Sequence, residues 1–238
     1  MKNIWVISLG GSRIVPEDVD YKFLSDFKKL LDSHMDKKFV VVCGGGQTAR
    51  RYITALKNLG KKIREQSMEG IAVTRLHAGF MARIFGKEAN EVVPVNMKSV
   101  RNLLMKNRVV FCGALRWRDN NTSDGNAAQL AGYLECPFIN LTNVRGLYDR
   151  DPKLKNARRS AYPKLRSSGA KFISKISWKD FLKIARKISF EAGQHFVLDR
   201  VAAEEIAKDK TVTYIVGSLG AMDSVLKGKR FVGTLISG

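Results

Sequence analysis

Long apolar runs are missing from this chain of 238 residues. No uninterrupted apolar stretch approaches the roughly 20 residues that a membrane-spanning helix requires, so we expect no membrane span. The segment from Met1 to Val6 lacks the basic start and the cleavage site of a secretory signal peptide. We therefore expect a cytoplasmic protein that does not associate with a membrane.

Cysteine and histidine are also scarce. The three cysteines, Cys43, Cys112 and Cys136, have no paired spacing, no C-x-x-C motif occurs, and the three histidines are isolated. These absences argue against a zinc site, and no metal site made of protein side chains is expected. Each cysteine borders an apolar run, which is typical of small buried residues in a reducing compartment.

Acidic residues are few compared with basic ones: 22 Asp and Glu against 42 Lys and Arg give a formal net charge of +20. The stretch from Arg145 to Lys187 holds 14 basic residues and three acids. Such a surplus suits nucleotides, nucleic acid or anionic lipid, although a solvated basic surface has the same composition. Trp5, Trp117 and Trp178 are too scattered for a platform that stacks single-stranded bases. Nucleic acid is therefore not the expected partner, even though the basic surface would allow it.

Apolar segments alternate with segments of helical period along the whole chain. The pattern predicts strands over residues 4–9, 39–43, 92–95, 109–112, 138–141 and 212–216, and helices over residues 21–31, 49–59, 71–85, 122–134, 177–187 and 197–207. The strands are apolar throughout, which is typical of a parallel sheet buried between helices. We expect residues 1–238 to form a single α/β domain with a basic loop or insert around residues 152–170.

The most informative segment is the strand that ends at Cys43 and runs into Gly44-Gly45-Gly46 and then directly into a helix. Consecutive glycines let a bulky anion approach backbone N–H groups, and the N-terminus of a helix favours negative charge. Arg50 lies one turn into that helix, where its guanidinium could reach back to a phosphate. The segment therefore predicts phosphate chemistry.

Two further strands end in glycine turns, at residues 10–12 and 112–114. Ligands of an open parallel sheet bind at the carboxyl ends of its strands. Three such turns on one edge would line a crevice for phosphates.

The spacing Gly44-x-Gly46-x-x-Ala49 also fits a dinucleotide-binding fingerprint. That interpretation needs an acid about 20 residues further on at the end of a strand, whereas Glu65 and Glu69 lie in a segment that looks helical. NAD binding is therefore less favoured. The G-x-x-x-x-G-K-[ST] motif does not occur, which excludes a P-loop protein.

Two polar segments carry the remaining candidate residues. Thr122-Ser123-Asp124 lies at a helix start, where the hydroxyls could hold a phosphate and the carboxylate could orient catalytic groups or Mg²⁺. An ordinary N-cap would use the same residue types. Residues 142–152 form a polar turn after a strand, and Tyr148 with its neighbours could hold a base and a ribose.

Taken in order, these motifs resemble those of the amino acid kinase superfamily, and within it the archaeal-type uridylate (UMP) kinases. Both glycine loops have counterparts there, as does Thr122-Ser123-Asp124. The most specific match is to the family loop T-N-V-D-G-V-Y-x-x-D-P, which here reads Thr142-Asn143-Val144-x-Gly146-x-Tyr148-x-x-Asp151-Pro152. The resemblance extends over nearly the whole chain.

The resemblance implies a three-layer αβα sandwich with a mostly parallel central sheet, and phosphoryl transfer from Mg²⁺-bound ATP to UMP. It implies that Asp124 is the catalytic residue that organises the cationic groups. ATP would be bound by Gly10, Gly11, Ser12, Gly46, Arg50, Thr142, Asn143, Tyr148 and Asp151, and UMP by Gly45, Ser67, Asn121, Thr122 and Ser123. By the same analogy we expect a homo-oligomer, commonly a hexamer in this family.

Several positions depart from the family pattern. Ser8 stands where many members have lysine, and Ser67, His77 and Arg145 replace an acid, an asparagine and another acid. The loop over residues 115–121 is longer and more basic than its counterpart and lacks the pattern H-P-G-H. These departures leave two alternatives open: a sister kinase that acts on another small phosphate or acidic acceptor, and a degenerate relative that binds nucleotide or RNA without turnover.

Overall fold

The computed structural model describes residues 3–115, 122–149, 170–187 and 198–238. The strands in these ranges are β1 (Ile4–Leu9), β2 (Lys38–Cys43), β3 (Val109–Cys112), β4 (Phe138–Leu141), β5 (Leu147–Tyr148), β6 (Phe172–Ile173), β7 (Lys175–Ile176), β8 (Thr213–Val216) and β9 (Gly233–Ile236). The helices are α1 (Gly11–Ile14), α2 (Tyr21–Asp32), α3 (Gly46–Asn58), α4 (Ile63–Phe85), α5 (Met97–Lys106), α6 (Ser123–Tyr133), α7 (Trp178–Lys187), α8 (Arg200–Asp209) and α9 (Leu219–Leu226), with a 3₁₀ turn at Gly86–Glu88.

Seven strands form one sheet in the order β3-β2-β1-β4-β8-β9-β7, and β5 and β6 form a separate antiparallel ribbon. All neighbours in the large sheet are parallel except β8 and β9. The register aligns the strand ends, because Leu9 lies opposite both Cys43 on β2 and Leu141 on β4. The segments that follow β1, β2 and β4 therefore start side by side at one edge of the sheet.

Helices cover both faces of the sheet. Alternate residues of β1 and β2 pack into two separate apolar clusters: Val6 and Val40 face α5, α6 and α8, whereas Ile7 and Val41 face α2, α4 and α9. Continuous apolar strands are expected where a sheet is buried on both sides. The predicted three-layer αβα sandwich with a mostly parallel sheet is confirmed.

Helix α2 shows how the sequence specifies its own elements. Asp20 caps the helix by accepting a hydrogen bond from the backbone N–H of Phe23 at 3.0 Å. Leu24, Phe27 and Leu31 then recur with helical spacing and are fully or almost fully buried. Polar residues occupy the other face, so the helix packs on the sheet in one orientation only.

The sequence predictions were wrong at two places in this part of the fold. The strand expected over residues 92–95 does not form: Val92 and Val95 are exposed, and Pro94 lacks the N–H that a sheet ladder needs. The helix expected over residues 71–85 starts earlier, at Ile63. The basic loop predicted around residues 152–170 lies outside the described residues except for its last position.

The cysteine prediction is confirmed in its main point. Cys43 and Cys112 are fully buried and Cys136 is partly buried, and all three thiols are free. Burial raises the pKa of the Cys112 and Cys136 thiols to about 12, so they stay protonated at neutral pH. Within the described ranges, no helix is long and apolar enough to cross a membrane.

A cluster of charges connects the start of β3 to α2, at the edge of the sheet opposite the carboxyl ends of β1, β2 and β4. The guanidinium of Arg108 donates to the backbone oxygen of Leu31 at 2.8 Å and to a carboxylate oxygen of Asp32 at 2.7 Å. It also donates to Glu88 at 2.6 Å. Only 12% of the Arg108 side chain is exposed, so these bonds are screened less than surface ion pairs.

We expect Arg108→Met to lower the free energy of unfolding by about 1–3 kcal/mol, because it removes a largely buried cation from two carboxylates and a carbonyl. Urea denaturation would measure the change. The control is Lys183→Met, because Lys183 pairs with Asp180 while 60% of its side chain is exposed, and it should change stability by less than about 0.5 kcal/mol. Equal values for the two variants would show that the Arg108 cluster does not stabilise the fold.

Candidate active site

The loops after β1 and β2 touch backbone to backbone. A Cβ atom on Gly11 would collide with the backbone nitrogen of Gly46 and the carbonyl oxygen of Gly44. Gly46 has a φ of +58°, and a Cβ there would lie 2.5 Å from the carbonyl carbon of Gly11. Only glycine fits at these positions. We call residues 10–12 and 44–46 together the glycine cradle.

The helix that leaves the cradle has no side-chain cap. Gly45 occupies the N-cap position of α3 and makes no capping bond, whereas side chains cap α2, α5, α6, α8 and α9. The first N–H groups of α3 are therefore not taken by a capping side chain. A 13-residue helix with such an N-terminus beside the glycine cradle suits a phosphate group.

Asp124 lies in the first turn of α6 and is partly buried. The Ser8 hydroxyl on β1 donates to its Oδ1 at 2.6 Å. Burial raises the pKa of Asp124 to about 6, the Ser8 hydrogen bond lowers it, and the nearby Asp199 raises it further. The carboxyl group therefore changes charge close to neutral pH.

Thr122 and Ser123 also lie at the start of α6. The Thr122 hydroxyl caps the helix by accepting from the N–H of Gly125 at 3.0 Å, and it also donates to Asp199. The Ser123 hydroxyl lies 3.4 Å from the position of a Cβ on Gly44. The sequence-predicted residues Ser123 and Gly44 are thus neighbours at the cradle.

The buried side chain of Asn126 binds the backbone on both sides of residues 116–121, at Leu115 and at Thr122. The Asn126 amide accepts from the N–H of Leu115 at 3.2 Å and donates to the backbone oxygen of Thr122 at 2.7 Å. Asn126 is only 2% exposed, so losing either bond would leave a buried polar group unsatisfied. No motif in the sequence pointed to Asn126, although an amide side chain between Gly125 and two alanines was a usable signal.

Helix α4 anchors the ends of β2 and β3. His77 donates from Nδ1 to the carbonyl oxygen of Gly44 at 2.8 Å, which places the proton on that nitrogen. Thr74 accepts from the N–H of Ala114 at 2.9 Å, and Arg75 donates to the backbone oxygen of Leu115 at 2.9 Å. His77, which stands where the family pattern has an asparagine, is buried and fixes the second glycine loop.

Arg13 joins the cradle to the other half of the sheet. Its guanidinium donates to the backbone oxygens of Thr142 after β4 and Gly217 after β8, at 2.5 and 2.7 Å. The same guanidinium lies 5.6 Å from the centre of the Phe23 ring. No motif in the sequence indicated this contact, because the three segments are far apart in the chain.

The segment predicted to contact adenosine continues from this point. Thr142 is partly buried and Asn143 is exposed, and Tyr148 on β5 packs edge-on against Phe172 at 5.5 Å between ring centres. Arg145 lies 5.5 Å from the same Phe172 ring. The predicted contact Asp151 lies outside the described residues.

Two predicted contacts are less closely tied to the cradle. Arg50 is exposed, and its guanidinium donates to the side chain of Gln47 on its own helix at 3.1 Å. Ser67 lies partly buried on α4, one turn before Gly70, whose carbonyl oxygen lies 3.7 Å from the position of a Cβ on Gly45. Asn121, predicted for the UMP site, lies outside the described residues.

A cavity of about 690 Å³ opens elsewhere, between the C-terminal parts of α4 and α5. Its lining includes Arg83, Asn90 and Lys106 and none of the residues predicted to bind nucleotide. The cavity does not include the glycine cradle or the first turn of α6, so it is separate from the candidate site. In the described part of the chain, no group of three or more His, Cys, Asp or Glu could hold a metal ion.

The chain matches known proteins along nearly its whole length. The model of the amino acid kinase family matches residues 3–217. The uridylate kinase of Methanopyrus kandleri is 32% identical, with 98% of this chain and 99% of that protein covered. The uridylate kinase of Thermoplasma volcanium is 34% identical, with coverage of 97% and 96%. The crystal structure of uridylate kinase from Archaeoglobus fulgidus superposes with a TM-score of 0.80 at 31% identity, covering 98% and 99% of the two chains.

We expect Gly11→Ala to destabilise the fold by at least about 2 kcal/mol, because its Cβ would meet backbone atoms that cannot move aside as a side chain can. Thermal unfolding would measure the effect. Gly220→Ala on α9 is the matched control: no atom lies within 4 Å of its Cβ position, and alanine is the better helix former. Loss of stability in both variants would contradict the cradle geometry.

Asp124→Asn should stabilise the fold, because it removes a carboxylate whose charged form is disfavoured by its partial burial. For an acid with a raised pKa, the folded state binds the proton more tightly, so wild-type stability falls as pH rises from about 4 to 6 and is constant above. The advantage of the variant should therefore grow over this interval and reach at most about 3 kcal/mol. Unfolding curves at pH 4, 5, 6 and 8 test this, and an advantage independent of pH would contradict it.

Proposed function

The chain belongs to the amino acid kinase family, and from that premise we propose that it transfers the γ-phosphoryl group of ATP to UMP, giving ADP and UDP. The observation that carries the proposal is the end-to-end similarity to archaeal uridylate kinases, at 32–34% identity with nearly complete coverage of both chains. Because this chain covers nearly all of those relatives, the part of each relative that carries its named activity has a counterpart here.

On the donor side, the glycine cradle would hold the ATP phosphates through Gly10, Gly11, Ser12 and Gly46. The absence of Cβ atoms and the uncapped start of α3 support this assignment. Arg50 would have to exchange its contact with Gln47 for a phosphate. The adenosine would lie toward Thr142, Asn143 and Tyr148, with Asp151.

On the acceptor side, Gly45, Ser67, Thr122 and Ser123, together with Asn121, would hold UMP. The contact between Gly45 and Ala49 leaves no room for a side chain where α3 passes α4. Ser123 lies beside Gly44, so an acceptor phosphate held there would be next to the donor phosphates. Such proximity is the main requirement of phosphoryl transfer.

The chemistry requires positioning and neutralisation of charge more than covalent participation by the protein. Mg²⁺ bound with ATP would neutralise charge on the phosphate oxygens, and a carboxylate such as that of Asp124 is the kind of oxygen ligand that a hard cation prefers. Asp124, held by Ser8, would orient the groups that act on the transferred phosphoryl. A homo-oligomer, a hexamer by analogy, acting in the cytoplasm is part of the same proposal.

A sister kinase with a more anionic acceptor is the second candidate, favoured by the replacement of acids by Ser67 and Arg145. The contact of Arg145 with Phe172 places that cation beside Tyr148, on the adenosine side of the proposed site. This contact weakens the argument for an altered acceptor. A relative that binds nucleotide without turnover is disfavoured by Asp124, which is partly buried and hydrogen-bonded to Ser8.

Release of ADP with Mg²⁺, ATP and each of UMP, CMP, AMP and GMP tests the proposal. We expect turnover with UMP, and a loss of about 100-fold or more in Asp124→Asn because the group that orients the reacting charges is neutralised. Asp36→Asn is the control, because Asp36 is exposed and contacts only its neighbours at that surface. Turnover with a different acceptor would favour a sister kinase, and turnover with none would contradict the proposal.

A further inference from the structure

The starts of two helices meet beside the candidate site. Thr122 caps α6 and Asp199 caps α8, and the two capping side chains are hydrogen-bonded to each other. The Thr122 hydroxyl accepts from the N–H of Gly125, and its proton is donated to Oδ2 of Asp199. The other oxygen of Asp199 accepts from the N–H of Ala202 at 2.9 Å.

This arrangement exceeds what capping requires. One side-chain oxygen is enough to cap a helix, and Ser, Thr and Asn serve as well as Asp. Asp199 uses its second oxygen on another helix, and a carboxylate is the side chain that offers two acceptor oxygens at once. An asparagine at the same place could cap α8 but would present an N–H₂ group to Thr122.

The contact fixes the residues on which the candidate site depends. Ser123 and Asp124 follow Thr122 directly, in the first turn of α6. Ser8 holds Asp124 from the side of β1 at 2.6 Å, and Ser123 lies beside Gly44 of the cradle. The first turn of α6 is thus held between the sheet and α8.

We propose that Asp199 is a positioning residue: through the Thr122 hydroxyl, it holds Ser123 and Asp124 in place against the glycine cradle. The inference rests on the proposed function, because the positioned groups are those assigned to phosphoryl transfer. Asp199 is not among the residues assigned to either substrate, and its hydrogen bond to Thr122 links it to the first turn of α6.

Asp199→Asn is the test, and Asp20→Asn is the matched control. Each aspartate caps its helix by accepting a hydrogen bond from the backbone N–H of the residue three positions later. Asparagine can accept the same bond, so both variants retain the cap of their helix. We expect Asp199→Asn to lower kcat about tenfold or more while the KM for ATP changes less than about threefold. Asp20→Asn should match the wild type. A kcat of folded Asp199→Asn within twofold of the wild type would overturn the inference.

The pH profile of kcat separates positioning from a loss of stability. Burial, the Ser8 hydroxyl and the Asp199 carboxylate act on the Asp124 carboxyl, and Asp199 raises its pKa. Removing that negative charge should move the acid limb of the profile to lower pH. A profile that keeps its midpoint while kcat falls would overturn the inference.

A double-mutant cycle tests whether Asp199 acts through the hydroxyl. Thr122→Val removes the proton that Asp199 accepts, and the combination of both substitutions should lower kcat no further than Thr122→Val alone. Effects that multiply would mean that the two residues act independently, which contradicts the inference.

The inference can be tested even if the wild type shows no turnover with UMP, the result that defeats the proposed function. Amide exchange of Gly125 reports on the Thr122 cap, and carbon-13 NMR of labelled aspartate reports on the titration of Asp124. In Asp199→Asn, exchange at Gly125 should accelerate and the Asp124 midpoint should fall, compared with Asp20→Asn. If neither the exchange rate of Gly125 nor the titration midpoint of Asp124 changed, the inference would be overturned, whatever the outcome for the proposed function.

Discussion

The close approach of the loops after β1 and β2 is the constraint on which the candidate site depends. Parallel pairing brings Leu9 and Cys43 to the same edge of the sheet, so the chain must turn twice in nearly the same place. Gly11 and Gly46 allow this because neither carries a side chain into the contact. The surface at this contact consists of glycine backbone, and no side chain caps the start of α3 beside it.

Around this surface, polar side chains position other parts of the chain. Asn126, His77 and Arg13 each bind backbone groups, and each reaches a loop at the end of a strand. Bonds of this kind fix loops as firmly as secondary structure does, because breaking one leaves a buried donor or acceptor unpaired. These side chains therefore connect several described loops at this edge of the sheet to their neighbours.

Much of this architecture could be predicted from sequence, because apolar strands and glycine turns are local signals. The αβα sandwich and the position of Asp124 at a helix start followed from them. Residues 92–95 were mispredicted because valine favours strands while Pro94 interrupts the ladder. The contacts of Arg13 with Gly217 and of Thr122 with Asp199 span 204 and 77 residues, and no local pattern encodes such distances. Site residues that act through neighbours are therefore harder to recognise than those whose own chemistry is visible.

The backbone contact at Gly11 also limits how this sequence can change over time. A side chain added at Gly132 would meet the side chain of Asp209, so a second substitution at Asp209 could make room for it. A side chain at Gly11 would meet the main chain of residues 44–46, which every amino acid possesses. No second substitution can remove that obstacle. Substitution of Gly11 is therefore excluded whatever side chains surround it, whereas Gly132 can be substituted together with Asp209.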